Sequence, residues 1–243
     1  MKILMCISVV PDTNAKIPFK DNTPDLSAVT TVIGPYDDYA LARAVELRDQ
    51  NGGQITVLNV GGADNEQVIR KALAIGADDA IRIDAEPKDA LFVAKQIVEV
   101  AKQDHYDMIL MGRESSDYNG GQVHGIVAAM LGIPCIVPCM KLDIAGNMAT
   151  MHREIEGGKE IVEVKMPFVA GCQEPIAEWK IPNMKGIMGA RKKPLKVLPP
   201  FEDISKTSVI NYEQPQARGN CKIIEADKLN DLVSLLKNEA KVL

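Results

Sequence analysis

The spacing of hydrophobic and polar positions switches repeatedly between a strand period and a helix period along the first half of the chain. Residues 2–10 are an apolar run of strand length. The polar stretch 12–31, which carries Pro18 and Pro24, reads as a long loop or irregular hairpin. Over residues 36–50, Tyr36, Tyr39, Ala40, Ala44 and Leu47 recur on one helical face, and Gly52-Gly53 stops it. Residues 54–60 predict a second strand. Gly61-Gly62 then leads into a helix over 65–75 that ends at Gly76. A strand over 79–84, a helix over 88–103 and a strand over 107–111 follow, and a glycine-rich loop feeds a helix over 122–131. Four such alternations imply right-handed crossovers and a parallel sheet with helices on both faces. No internal repeat is evident.

After Pro134 the texture changes. Residues 136–142, 148–155 and 159–169 read as β, with Glu156-Gly157-Gly158-Lys159 as a tight turn. Residues 182–200 form a basic, proline-bracketed segment, and 201–221 show no period and read as an extended arm. A last amphipathic helix spans 228–240, with Leu229, Leu232, Val233 and Leu236 on one stripe. The expected architecture is therefore one doubly wound α/β domain over residues 1–200. Its sheet is mostly parallel and carries an antiparallel β annex. Residues 201–243 add an arm and helix whose stripe has too little chain behind it to be buried internally.

Composition changes this picture little. The chain has 243 residues, 46% hydrophobic and 25% charged, as a globular protein does. A net charge of −5 argues against a nucleic-acid surface, although local basic clusters remain compatible with it. No apolar run approaches the roughly 20 residues of a membrane span. The apolar N-terminus is too short for a signal peptide and lacks a small-residue cleavage site, so it reads as a buried strand of a cytoplasmic protein. The five cysteines are odd in number. Cys135 and Cys139 lack a second ligand pair, and His105, His124 and His152 form no motif with them, so buried thiols are expected and a metal is not.

Candidate chemistry concentrates in Met111-Gly112-Arg113-Glu114-Ser115-Ser116-Asp117-Tyr118-Asn119-Gly120-Gly121-Gln122-Val123, which follows a strand and opens a helix. In open α/β sheets ligands sit beyond the carboxyl ends of the strands. Gly120-Gly121 lets backbone approach a ligand, the helix's first N–H groups favour a phosphate, and Asp117 offers an acceptor for a ribose hydroxyl. A flexible loop with Asp117 as a helix cap is the plainer alternative. The segment is neither a Walker loop nor a dinucleotide fingerprint. Cys6-Ile7-Ser8 and Val60-Gly61-Gly62 end strands at the same crevice. No catalytic set emerges: there is no Gly-x-Ser-x-Gly elbow, and Glu154 and Glu156 lie in a hairpin. His124 reads as packing or capping rather than acid–base chemistry. Arg191-Lys192-Lys193, with Lys180, Lys185 and Lys196, is a basic patch beside Met184, Ile187 and Met188, a pattern suited to docking.

In order along nearly the whole chain these pieces resemble the electron-transfer flavoprotein β-subunit family. They run through Val10-Pro11-Asp12-Thr13, Pro35-Tyr36-Asp37, Ile69-Arg70-Lys71-Ala72-Leu73-Ala74-Ile75-Gly76-Ala77-Asp78, the loop from Gly112 to Val123, Arg153-Glu154-Ile155-Glu156-Gly157-Gly158, Met166-Pro167, the run from Gly186 to Leu195, and Asp231-Leu232-Val233. The resemblance implies an adenine-nucleotide α-hydrolase-like fold and an electron carrier without catalytic residues. Its partner would be an α subunit holding a shared FAD. The β subunit's own nucleotide would be AMP, or a second FAD in members that bifurcate electrons. By motif position, nucleotide contacts fall at Cys6, at Gly34, Pro35, Tyr36 and Asp37, at Val60, and along Gly112, Arg113, Glu114, Ser115, Ser116, Asp117, Tyr118, Asn119, Gly120, Gly121, Gln122 and Val123. Met184, with Lys185 and Arg191, occupies the place of the loop that docks a flavin dehydrogenase such as an acyl-CoA dehydrogenase. Ser8, Gly34, Glu114, Tyr118, Asn119 and His124 depart from the family's usual residues. A stand-alone adenine-nucleotide sensor of the universal-stress type is the alternative, although a sensor has no use for residues 201–243. A hydrolase using Asp117 and His124 is a third.

Overall fold

The structure is a computed structural model that describes residues 1–216, 219 and 221–243. In chain order the elements are β1 (Lys2–Cys6), β2 (Val9–Pro11), β3 (Phe19–Lys20), β4 (Thr23–Pro24), β5 (Thr31–Ile33), α1 (Pro35–Asn51), β6 (Gln54–Val60), α2 (Glu66–Ile75), β7 (Asp79–Ile83), α3 (Ala90–Gln103) and β8 (Met108–Gly112). There follow α4 (Val123–Leu131), β9 (Cys135–Ala145), β10 (Met148–Ile155), β11 (Gly158–Lys165), β12 (Phe168–Cys172), α5 (Met184–Ala190), β13 (Leu195–Leu198) and α6 (Leu229–Asn238). The chain separates into two compact units, Met1–Ile210 and Asn211–Leu243. The second unit contains α6.

Nine strands of the first unit form one sheet in the order β11-β10-β9-β12-β8-β1-β6-β7-β13. Every pairing from β9 to β13 is parallel, and only β9-β10 and β10-β11 are antiparallel. The sheet is therefore doubly wound with an antiparallel annex, as the alternation of periods requires. Side chains of β1 separate by parity. Ile3 and Met5 join a core with Leu41, Val45 and Ile69 of α1 and α2, and Leu4 and Cys6 join the opposite core with Phe92, Ile97 and Val127 of α3 and α4. From β1 the chain moves through β6 to β7 on one side, then crosses by α3 to β8 on the other. That reversal opens a crevice beyond the ends of β1 and β8.

Three local expectations need correction. The run 2–10 is two strands, because β2 leaves the main sheet to pair with β5. The run 159–169 is also two: Pro167 supplies no N–H, and the chain re-enters the sheet as β12, fully buried between β8 and β9. The basic segment 182–200 holds α5 and the edge strand β13. The compact first unit runs to Ile210. Phe201 N–H donates to Oε1 of the buried Gln96 at 2.7 Å. Among the described residues no helix is long and apolar enough to cross a membrane.

Candidate functional site

A cavity of about 440 Å³ occupies the crevice, within the size range of small-molecule sites. Strand ends supply an apolar wall of Cys6, Ile7, Leu58, Val60 and Met111, continued by Val93 and Ile97 of α3. The loop from Gly112 to Val123 forms a second wall, the turn Pro87–Ala90 a third, and Thr207, Ser208 and Val209 a fourth.

Of the residues expected at a nucleotide, Cys6, Asp37, Val60, Gly112, Arg113, Glu114, Ser115, Asp117, Tyr118, Gly120, Gly121, Gln122 and Val123 line this cavity. Gly34, Pro35, Tyr36, Ser116 and Asn119 do not. The start of α1 instead holds the loop in place. A Cβ on Gly112 would come within 2.7 Å of Tyr36 Cβ and 2.8 Å of Asp37 Oδ1, so only glycine allows β8 this close to α1. A Cβ on Gly34 would collide with Ser8 Oγ and Asp37 Oδ2. Asn119 and Gly121 adopt φ of +47° and +55°, which turn the loop into α4. Sequence reasoning missed Asn65, Lys88, Asp89, Val93, Ile97 and Thr207–Val209. Asn65 precedes α2, Lys88 and Asp89 lie in the turn before α3, Val93 and Ile97 are on α3, and Thr207–Val209 follow β13, in a segment whose folding back no local pattern announces.

Asp37 is the hub of the crevice. It is 4% exposed, and its Oδ2 accepts from Ser8 N–H at 2.8 Å and Ser8 Oγ–H at 2.5 Å. Its Oδ1 accepts from Gly112 N–H at 2.6 Å. Burial pushes its carboxyl up to about 6 against the pull of those donors. Ser8, a departure from the family pattern, is thus a partner of Asp37. Burial and the nearby Asp37 also push the Cys6 thiol far up, so it stays protonated.

Two of the loop's charges, Arg113 and Glu114, pair with each other. Arg113 Nη2 and Nε donate to Glu114 Oε1 at 2.8 and 3.1 Å, and Nη1 donates to Gln173 Oε1 at 2.8 Å. The guanidinium lies 5.0 Å from the Tyr36 ring centroid. Gln173 Nε2 continues to Glu154 Oε2 at 2.6 Å, tying the loop to the annex. The charge of Glu114 is thereby neutralised, and a phosphate would be left to backbone N–H groups and the dipole of α4. His124 is buried, with Nε2 2.9 Å from the Arg113 carbonyl, so this nitrogen carries the proton and donates. Desolvation lowers its pKa, and the neutral ring pins α4 to the loop, a packing role.

Away from the crevice, α5 presents Met184, 72% exposed, with Met188, Ile181 and Trp179 also open to solvent. Lys185 and Arg191 are exposed beside them, but Lys193 turns inward and donates to Leu73 and Ala77 carbonyls at 2.9 and 2.6 Å, closing the C-terminal end of α2. Among the described residues no group of three or more His, Cys, Asp or Glu is placed to hold a metal ion.

The electron transfer flavoprotein domain profile matches residues 26–202. Over all of both chains the sequence is 32% identical to the electron transfer flavoprotein subunit beta of Bacillus subtilis (strain 168). It is 32% identical to the subunit of the same name from Syntrophomonas wolfei, over 100% of this chain and 98% of the relative. A 28% identity covers 99% of this chain and 98% of the caffeyl-CoA reductase-Etf complex subunit CarD of Acetobacterium woodii. With a doubly wound sheet, a switch-point cavity and full-length similarity in agreement, the chain belongs to the electron-transfer flavoprotein β-subunit family, whose work is electron transfer.

Proposed function

We propose that this chain works as a heterodimer with an α subunit and that its cavity buries an adenylate group, either AMP or the AMP half of a second FAD. The observation that carries this reading is the cavity itself, placed at the switch point with a glycine loop and the start of α4 on its wall. The residues present suit the ligand. Cys6, Leu58, Val60, Val93, Ile97 and Met111 offer an apolar slot for a planar base. Gly120, Gly121 and the first-turn N–H groups of α4 offer a phosphate cradle, and Asp117 a ribose acceptor. A flavin bound with the α subunit would supply the redox chemistry. This chain would exclude water from the adenylate, hold its phosphate and present the exposed patch around Met184 to a flavin dehydrogenase. The name of the Acetobacterium relative, a subunit of a reductase–Etf complex, supports such a partnership.

The test is to purify the chain with its α partner, denature the complex and quantify adenylate and flavin. One FAD with one AMP, or two FAD, per heterodimer is expected. A complex that holds one FAD and no other adenylate overturns the reading.

A further inference from the structure

The fourth wall of the cavity is not part of the α/β sandwich. After β13 the chain runs back along α3, held by Phe201 N–H to Gln96 Oε1 at 2.7 Å, Lys95 to Glu202 at 3.8 Å and a Lys88–Asp203 ion pair. It then reaches Asp89, which does two jobs with two oxygens. Oδ1 caps α3 by accepting from Phe92 N–H at 2.7 Å. Oδ2 accepts from Lys206 N–H at 2.7 Å, Thr207 N–H at 2.9 Å and Thr207 Oγ1–H at 3.3 Å. The next residues, Thr207, Ser208 and Val209, face the cavity, and the compact unit ends at Ile210.

This arrangement differs from the rest of the site in one respect. The strand-end wall is core, and the glycine loop is tied through Arg113, Gln173, Glu154 and His124. The wall at Thr207–Val209 lies outside any helix or strand, its residues are exposed, and the tie beside it converges on a single carboxylate oxygen. Hydrogen bonds to an ionised acceptor are stronger than neutral ones. Burial would raise this carboxyl, but the N–H groups of Phe92, Lys206 and Thr207 hold it below its ordinary value, so it is charged at neutral pH.

We propose that Asp89 is a positioning residue that latches residues 206–209 over the cavity, so that the bound nucleotide leaves by release of this strap while the glycine loop stays fixed. The proposal rests on the adenylate reading of the cavity. It assigns Asp89 a function other than helix capping, and makes nucleotide residence time a property of the segment that leads into the C-terminal unit.

Asparagine separates the two jobs. In Asp89→Asn the amide oxygen still caps α3, since Asn is as good an N-cap as Asp. The amide NH₂ then faces the N–H groups of Lys206 and Thr207 and cannot accept from them. The experiment uses the complete heterodimer and AMP, or FAD if that is what the wild-type complex contains, with dissociation and association rates measured by stopped flow. Asp89→Asn is expected to release the nucleotide about tenfold faster or more, the equivalent of one lost charge-assisted hydrogen bond, with kon and the melting temperature of the nucleotide-free protein near wild type. Should that variant fail to assemble, Thr207→Pro removes one N–H donor and the hydroxyl while leaving Asp89 and its cap intact, and the same acceleration is expected. A dissociation rate within twofold of wild type overturns the latch. So does slowed association with unchanged dissociation, which would mark a purely structural role. A wild-type complex that binds no adenylate at all would instead overturn the reading of the cavity.

Discussion

Residue scale begins at Asp37, where burial and hydrogen bonding pull a carboxylate in opposite directions and burial wins. Its folded pKa of about 6 stands above the ordinary 3.8. Between those values the folded chain keeps a proton that the unfolded chain has lost. Stability from this group is therefore full at low pH and is lost as pH rises towards 6, on the order of 3 kcal/mol for a shift of this size. Asp37→Asn abolishes the titration and leaves either the Ser8 or the Gly112 N–H without an acceptor, which itself costs about 1–3 kcal/mol. The variant should be less stable than wild type at pH 4, with the gap narrowing up to about pH 6 and level above it. Urea unfolding across that range checks this, and a gap constant with pH would assign the titration elsewhere. Gly121 gives a second case. A Cβ there would meet nothing closer than Arg113 O at 3.8 Å, so space is not what excludes a side chain. The obstacle is φ of +55°, where a β-branched residue is strained by about 1–2 kcal/mol. Gly121→Val should reshape the loop, and the purified heterodimer should lose its adenylate while the fold survives. Retention of a full equivalent would remove the phosphate from this loop.

Elements were legible where periodicity was long. Helices α1 to α4 and strands β1, β6, β7 and β8 stand out as apolar patterns of helix or strand length, β6 between Gly53 and Gly61 and α2 closed by Gly76, and their order alone gives the doubly wound sheet. Strand β12 was hidden because its five residues are buried on both faces and show no alternation, so it read as a continuation of the hairpin before it. Helix α5 is only seven residues long and contains two glycines, Gly186 and Gly189, too weak a pattern to announce itself. Gly186 serves packing, because a Cβ there would strike the Ala74 carbonyl of α2. The site was legible to the same degree: the glycine loop stood out as a motif, whereas the walls from α3 and from Thr207–Val209 come from tertiary folding. The contact of α1 with β8 makes an element-scale prediction. Gly112→Ala forces apart Tyr36, Asp37 and the end of β8, which should destabilise the protein by about 1–3 kcal/mol and weaken adenylate binding with it. Thermal melting with and without AMP measures both, and an unchanged midpoint would show that the two elements separate freely. On α5, Met184→Ala should raise KM for the dehydrogenase severalfold without changing flavin content, as removal of one apolar anchor does. An unchanged KM would move docking to another surface.

At the scale of the whole molecule the question is which part of the chain each unit needs. The first unit, Met1–Ile210, holds both cores and every cavity wall. The second has a ten-residue helix, α6, with none of its residues buried, and Leu229, Leu232 and Val233 are 63%, 37% and 44% exposed. A helix of that length is marginal in water, and an apolar stripe of this kind is stabilised by a surface to cover it. We expect that surface to be the α subunit. Two truncations then have different consequences. A chain ending at Pro200 loses Thr207–Val209 and should fail both to retain adenylate and to assemble. A chain ending at Ile210 keeps the cavity intact, so it should melt cooperatively, bind AMP in isolation and still fail to form the heterodimer. Gel filtration with the α partner and equilibrium AMP binding separate these outcomes. Undiminished assembly by the chain ending at Ile210 would mean that the C-terminal unit does not grip the partner. AMP binding by the chain ending at Pro200 as tight as wild type would mean that the fourth wall is dispensable.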